Sequence, residues 1–371
     1  MFQDIFIIGA TGKVGRTLVS QIFEKDVSPA VHNNPTRIIG LASRSSYLYD
    51  AKGISREKAE EFCRRKSGAA YSSFDEWLSR VQEDYPSSRN EMQLTFIDVT
   101  DGREIMLRFH KKVMEETSYS IVTANKNPLA LCDFKTFQNL TKEVGRYGYR
   151  CSVMAGAEAV SKIRDLRDLG DSPVEISGCF SGTLGYIASE LEKGRKFSEI
   201  VEEAVSLGYT EPNPADDFSG HDLERKTIIL ARTAGYDVQK DSIMVEPFVP
   251  AEYITHRNPA SFIAHLKSLD EEFQRKTEHA LEKGNVLRYI AVFDLNNSHP
   301  KITVSLQEVP RNSPLGSLQG TRNKIVIKTK TYGENFYAVE APGAGLETTA
   351  QNIRRDLLYQ LQNRVIANHE K

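Results

Sequence analysis

Four consecutive apolar residues, Ile5 to Ile8, run straight into Gly9-Ala10-Thr11-Gly12-Lys13-Val14-Gly15. Leu18, Val19, Ile22 and Phe23 then recur at helical spacing. An unbroken apolar run this short suits a strand buried on both faces, the kind found in parallel sheets. Glycines spaced GxxGxxG directly after it permit a tight turn, close approach of backbone to a pyrophosphate, and close helix–strand packing. The same spacing also describes a βα turn that binds nothing.

The alternation continues. Arg37 to Ser45 reads as a second strand, LTFIDVT (ending Asp98 to Thr100) as another, and VTANKNPLA (Val122 to Ala130) as the next strand end. Between them lie helix-like stretches at Arg56–Arg65 and Phe74–Val81 and a loop at Pro86–Asn90. Strand and helix in alternation predict a doubly wound parallel sheet, an α/β fold. Ligands on such sheets sit at the carboxyl ends of strands, and Gly9, Thr100 and Lys126 all fall at predicted strand ends, on one rim. A domain specific for NAD would usually carry an acidic residue after the second strand; this chain has Ser43, Arg44 and Ser45. Arginine and hydroxyls suit a 2′-phosphate, so NADP is at least accepted. Arg44 also fits a solvated strand-end charge.

From Cys151 the pattern changes to α+β. Ile163, Leu166 and Leu169 predict a helix, VEISGCF a strand, SGTLGYI (Ser181–Ile187) a strand-to-helix turn, and residues 261–283 a helix. YIAVFDL, KITVSLQEV, KIVIKTKT and NFYAVEAP predict a mostly antiparallel sheet. PGAGLETTA then opens a helix from Thr348 to about Asn368, and a glycine-rich turn at a helix start can return to a cofactor.

Within this half, GYTEPNPADDFSGHDLERK (Gly208–Lys226) carries Glu211, Asp216, Asp217, Asp222 and Glu224 and ends in Arg225 and Lys226. Pro212 and Pro214 are expected to keep its first half out of helix. Ser219 reads as the N-cap of a following helix, with Asp222 as its capping-box partner. Asp222 and Lys226, four apart, share one helix face. Clustered carboxylates beside a lysine suit a zwitterionic small molecule, with the lysine at a reacting oxygen. The pair is equally an ordinary solvated i,i+4 contact.

A chain of 371 residues with 40% apolar content is long enough for two domains. A net charge of −2 argues against an electrostatic nucleic-acid binder. No stretch approaches the roughly 18 apolar residues of a membrane span. Met1 lies too close to the first strand to leave room for a signal peptide. Cys63, Cys132, Cys151 and Cys179 are scattered, with no zinc spacing, and read as free thiols in a reducing, cytoplasmic compartment.

Taken together, GATGKVG, VTANKNPLA, SGTLGYI, GYTEPNPADDFSGHDLERK, VPRNSPLGSLQG and PGAGLETTA resemble the homoserine dehydrogenases, in the family's order and over nearly the whole chain. The chain resembles the monofunctional form, without an aspartokinase half or an obvious C-terminal regulatory extension. The resemblance implies reversible oxidation of L-homoserine to L-aspartate 4-semialdehyde with NAD or NADP, NADP favoured, on the route to threonine, methionine and isoleucine. It implies a Rossmann domain over 1–150, a catalytic and dimerising α+β domain over 151–340, and a C-terminal segment, 341–371, returning to the first domain. A homodimer follows from the same resemblance. Lys226 is then the proton donor and acceptor, with Asp222 and Lys126 as further catalytic residues. Glu211, Asp222, Asp217 and Thr183 bind or support the substrate. Gly9, Ala10, Thr11, Gly12, Lys13, Val14, Gly15, Arg44, Thr100, Lys126 and Gly345 contact the cofactor.

The chain departs from the family pattern at one place. Anchored on Arg164-Asp165-Leu166, the family's Glu-x-x-Val-Gly-Ala-Gly-Leu-Pro segment puts Arg150 at the glutamate, Val153 at the valine, Met154 at the first glycine and Glu158 at the proline. A guanidinium offers no acceptor, so no metal is expected on the carbonyls of Val153 and Ala155. Gly185 fills a position often held by Asn or Ser. Two other readings compete: aspartate-semialdehyde dehydrogenase, which needs a nucleophilic cysteine in a motif this chain lacks, and a non-catalytic NADP-binding relative.

Overall fold

Every residue of the first apolar run is buried, and the run forms strand β1 (Gln3–Ile8) at the centre of a seven-stranded sheet. The computed structural model describes residues 3–26, 36–86, 93–255, 258–296 and 300–369. Two compact units emerge, Met1–Gly156 with Gly345–Lys371, and Ala157–Ala344. The borders thus fall at 156/157 and 344/345, against 150/151 and 340/341 in the sequence reading.

In the first unit β2 (Thr36–Ala42), β3 (Ser46–Tyr49), β4 (Ala69–Ala70), β5 (Gln93–Asp98), β6 (Ser120–Thr123) and β7 (Tyr147–Gly148) join β1 in the order β4-β3-β2-β1-β5-β6-β7. The run β2-β1-β5-β6-β7 is parallel, and β3 and β4 add an antiparallel edge. Alternate side chains of β1 go to opposite faces. Ile5 and Ile7 join Leu18, Val19 and Ile22 together with Ala350, Ile353 and Leu357 of the last helix, Leu346–His369. Phe6 instead stacks on Trp77 at 4.4 Å, backed by Phe96 and Phe109. Both faces are covered, which is the doubly wound arrangement the alternation predicts.

The second unit holds β8 (Pro173–Cys179), β9 (Ile243–Val245), β10 (Asn285–Asp294), β11 (Lys301–Pro310), β12 (Arg322–Thr329) and β13 (Tyr337–Pro342), in the order β13-β12-β8-β10-β11-β9. Its pairs are antiparallel except β9 with β11. Phe197 stacks on Phe273 at 4.0 Å, and Phe218, Phe248 and Tyr289 extend this aromatic core.

Several element boundaries differ from the sequence reading. The second strand stops at Ala42 because Ser43 caps the turn back into β3: its hydroxyl accepts from the Ser46 N–H at 3.0 Å. Residues 261–283 are two helices, Pro259–Leu266 and Asp270–Glu282, joined by a 3₁₀ turn at Lys267–Leu269. The last helix starts at Leu346, immediately after the glycines. The expected loop at Pro86–Asn90 lies, apart from Pro86, outside the described residues.

Candidate functional site

Two corrections come from the acidic stretch. Pro214 starts a short helix, Pro214–Phe218, instead of excluding one, because the first helical position needs no N–H donor and welcomes a fixed φ. Ser219 is not the N-cap of the next helix, His221–Thr233. That position belongs to Gly220, whose φ of +77° makes the sharp joint between the two helices. Ser219 Oγ donates backward to Asp216 O at 2.7 Å, so no Ser219–Asp222 capping box forms.

With Asp222 freed from capping, the predicted i,i+4 pair forms. Lys226 Nζ lies 2.7 Å from Asp222 Oδ2 and donates to Phe180 O at 2.7 Å. Lys226 is 8% exposed, whereas the Asp222 side chain is 40% exposed. The ammonium is therefore held from inside by a carbonyl at the end of β8 and from outside by a half-open carboxylate. This is no solvated surface pair.

A second group lies in the same unit. Ser181 caps helix Gly182–Leu191, accepting from Leu184 N at 3.1 Å, and so fixes Thr183 in the first turn. Thr183 Oγ1 is 2.6 Å from Tyr209 O and 3.0 Å from Asp217 Oδ1. Asp217 Oδ2 accepts from the Glu211 N–H at 2.8 Å. Burial pushes the Asp217 carboxyl up to about 6, with repulsion from Glu211 and Asp222 adding to it and the two hydrogen bonds opposing it. One hydroxyl proton cannot serve Tyr209 O and Asp217 together. When Asp217 is protonated it donates to Thr183, and Thr183 donates onward to Tyr209 O. When it is ionised, it competes for the Thr183 proton. Glu211 itself is exposed. The structure thus links Lys226 with Asp222, and Thr183 with Asp217 and the Glu211 backbone, and the charges of Glu211 and Asp222 reach Asp217.

In the first unit, Gly9 N and Ala10 N donate to Ala42 O at 2.9 and 3.0 Å, and Gly12 N to Gly9 O at 2.9 Å. Gly12 is the N-cap of helix Lys13–Gln21 and brings no side-chain cap, so the first-turn N–H groups are left for an anion. A Cβ at Gly15 would overlap Gly9 O and the Ala10 backbone, so only glycine lets the helix approach the turn this closely. Thr100 follows β5 and its methyl borders Gly9; Lys126 follows β6 as the N-cap of helix Asn127–Leu131. Since β1, β5 and β6 are adjacent and parallel, Gly9, Thr100 and Lys126 share the carboxyl-end rim. Arg44 is exposed in the turn after β2. The Ser43 hydroxyl, by contrast, is consumed by Ser46, so it is not available to a phosphate.

Gly345 opens the last helix. Two residues on, Glu347 accepts from Gln21 Nε2 at 2.6 Å, at the opposite end of helix Lys13–Gln21 from the glycine turn, about 12 Å along its axis. Arg150, at the family's glutamate position, lies with Nε 3.0 Å from Asp356 Oδ1 of that helix and with its guanidinium 4.9 Å above the Tyr359 ring. Met154 and Ala155 hold left-handed φ values of 52° and 49°, and Ala155 O accepts from Asn352 Nδ2 at 2.8 Å. Among the described residues no three His, Cys, Asp or Glu side chains cluster as metal ligands. Sequence reading assigned no role to Asp98, His110, Asn125 and Tyr147, which pack together behind the rim: Asn125 is hydrogen-bonded to Asp98 and His110 to Tyr147, with His110 Nε2 3.2 Å from Asp98. Asp98, at a predicted strand end, and Asn125, inside VTANKNPLA, carried a signal; His110 and Tyr147 carried none.

A parallel sheet with a glycine turn, next in sequence to a mixed sheet clothed by helices, defines an α/β protein. A family model for homoserine dehydrogenase matches residues 160–358, more than half of the chain, and the chain belongs to that family. It is 32% identical over 356 residues to the chloroplastic bifunctional aspartokinase/homoserine dehydrogenase 1 of Arabidopsis thaliana, a match covering 95% of this chain and 38% of that one. The chain therefore spans about two fifths of the length of that curated relative. A crystal structure of a Candida auris protein of unknown function superposes with a TM-score of 0.84 at 27% identity, covering 97% of this chain and 98% of the other. A hyperthermophilic archaeal homoserine dehydrogenase in complex with NADPH shares the fold, with a TM-score of 0.69 at 22% identity and 98% of each chain covered.

Proposed function

We propose that this protein interconverts L-homoserine and L-aspartate 4-semialdehyde by hydride exchange with NAD(P), on the route to threonine, methionine and isoleucine. The observation that carries the reading is the Lys226 ammonium, nearly buried and clamped between Phe180 O and Asp222 beside a carboxylate cluster. Membership of the homoserine dehydrogenase family supports it. A nicotinamide dinucleotide, when bound, supplies or accepts the hydride. The chain's residues fit one: an uncapped helix N-terminus follows Gly9–Gly12, and Gly15 keeps that helix against the turn. Gly9 to Gly15, Thr100 and Lys126 are assigned to it, with Gly345 assigned on the family resemblance alone, and the exposed guanidinium of Arg44 supports a 2′-phosphate and hence NADP.

In the reductive direction Lys226 gives its proton to the aldehyde oxygen as that oxygen gains charge, and water then reprotonates the amine. In the oxidative direction the neutral amine takes the hydroxyl proton. Asp222 orients the lysine. Glu211, with Asp217 and Thr183 behind it, attracts the substrate's ammonium. The four cysteines are buried, and burial raises the thiols of Cys63, Cys151 and Cys179, so none of these three offers the ready thiolate that a semialdehyde-acylating enzyme needs. The same reading takes the chain as a cytoplasmic homodimer of a dinucleotide domain, a catalytic domain and a returning C-terminal helix. Among the described residues no helix is long and apolar enough to cross a membrane.

The test is homoserine oxidation with NADP or NAD, followed at 340 nm. Wild type should turn over, and Lys226→Ala should lose roughly 10²–10⁴-fold in kcat while binding the dinucleotide normally. Near-normal turnover in the folded variant removes Lys226 from the chemistry.

A further inference from the structure

Asp98, at the end of β5, is 1% exposed and meets four groups. Its Oδ1 accepts from Thr100 N at 2.9 Å and from Thr100 Oγ1 at 2.7 Å. Its Oδ2 accepts from Asn125 Nδ2 at 3.0 Å and lies 3.2 Å from Nε2 of His110, a fully buried residue in helix Glu104–Glu116. That nitrogen makes no hydrogen bond, so it meets Asp98 as a close polar contact of the ring edge. On the far side of the ring, Nδ1 is 2.7 Å from Tyr147 Oη, also fully buried. Burial holds the Tyr147 phenol well above its usual value, so it stays protonated and donates to Nδ1. The opposite edge of the ring, Nε2, is the one that faces the carboxylate.

This chain of groups ends on both rim loops. Asn125 Nδ2 also donates to Gly102 O at 2.8 Å, Asn125 Oδ1 accepts from Asn127 N at 3.0 Å, and Asn127 Nδ2 donates to Asp101 O at 2.9 Å. The loop carrying Thr100 and the loop carrying Lys126 are thereby stapled together through one carboxylate. The hydroxyl of Thr100 is spent inside the staple, on Asp98 and on the Gly102 N–H at 3.2 Å. Thr100 therefore turns its methyl, not its hydroxyl, against Gly9.

We infer that His110, Asp98 and Tyr147 are positioning residues for dinucleotide binding: from behind the rim they fix the Thr100 and Lys126 loops in the geometry the cofactor meets. The inference rests on the proposal that the dinucleotide binds at this rim. His110 touches no ligand in this scheme. Its Nε2 edge packs against Asp98 Oδ2 and keeps that carboxylate turned towards Thr100 and Asn125. A buried carboxylate that loses its polar neighbour on that side is free to turn, and its remaining partners are the groups that hold the loops.

The experiment is NADPH titration of the full chain by fluorescence, with the melting temperature and the homoserine KM measured alongside. His110→Leu, which sets an apolar side chain against the buried carboxylate, should raise the Kd for NADPH about tenfold and move the homoserine KM less than twofold. His110→Gln, which keeps a polar group beside the carboxylate, should restore the Kd to within about threefold of wild type. If His110→Leu does not fold, Tyr147→Phe carries the test, with a rise in Kd of about threefold expected from loss of one neutral donor. Folded variants that melt earlier yet bind NADPH like wild type would reduce the network to fold stability and overturn the inference. Wild type that fails to bind NADPH overturns the rim as a dinucleotide site and this inference with it. Wild type that binds, with variants unchanged, sinks the inference alone.

Discussion

Asp217 shows how one side chain couples the candidate site to pH. A carboxyl raised from 3.8 in the free chain to about 6 in the fold binds its proton more tightly when folded. Its contribution to stability is thus fully present below pH 3.8 and is lost as pH rises through 6, a difference of up to about 3 kcal/mol. Asp217→Asn should cancel that slope. Urea unfolding of both proteins from pH 4 to 8 should show the variant gaining on wild type as pH rises, and parallel curves would mean Asp217 titrates normally. Substrate works in the opposite sense, because an ammonium favours the ionised carboxylate, so homoserine should bind more tightly above pH 6 than below it. At the other candidate site, Arg44 stands exposed after β2 with no help from the Ser43 hydroxyl. Arg44→Ala should raise the KM for NADP roughly tenfold and spare NAD. Equal loss for both cofactors would show that Arg44 does not read the 2′-phosphate.

At the scale of elements, apolar runs such as Ile5–Ile8 and the heavily β-branched β12 were legible because burial on a sheet leaves a period in the sequence. The rim was legible for the same reason: strand ends can be counted. The joint at Gly220 was not, because Ser219 and Asp222 carry the letters of a capping box and only the φ of the intervening glycine decides against it. The staple behind the rim was invisible because His110 lies on a helix and Tyr147 on a two-residue strand, brought to Asp98 by tertiary packing alone. Segment 150–156 lies between these cases. Its sequence places Arg150 where the family has a carboxylate, and the structure commits that guanidinium to Asp356 and the Ala155 carbonyl to Asn352. With its anionic ligand replaced and one carbonyl already accepting, the segment should not hold a sodium ion. Activity should therefore follow ionic strength alone, with sodium and potassium equivalent; a saturable activation by one of them would refute this.

For the whole molecule the governing fact is that the first unit is discontinuous: its sheet comes from the start of the chain, and one of its covering helices from the end. Helix Leu346–His369 puts Ala350, Ile353 and Leu357 into the core beside Ile5 and Leu18. It also supplies Asp356 to buried Arg150, Arg354 to buried Asp26, and Gln360, whose Nε2 donates to Ile121 O at 2.9 Å. Removing it would expose one face of the sheet and take Asp356 from Arg150 and Arg354 from Asp26, two ion pairs whose breaking costs several kcal/mol on top of the lost apolar burial. That exceeds what a domain of this size has in reserve. Residues 157–344 include none of these partners and close their own six-stranded sheet. A chain ending at Ala344 should therefore keep a cooperative unfolding transition from its second unit and lose NADPH binding. Its first unit should be digested by protease at concentrations the full chain resists. If the truncated chain bound NADPH with wild-type affinity, the last helix would be a covering and not part of the fold.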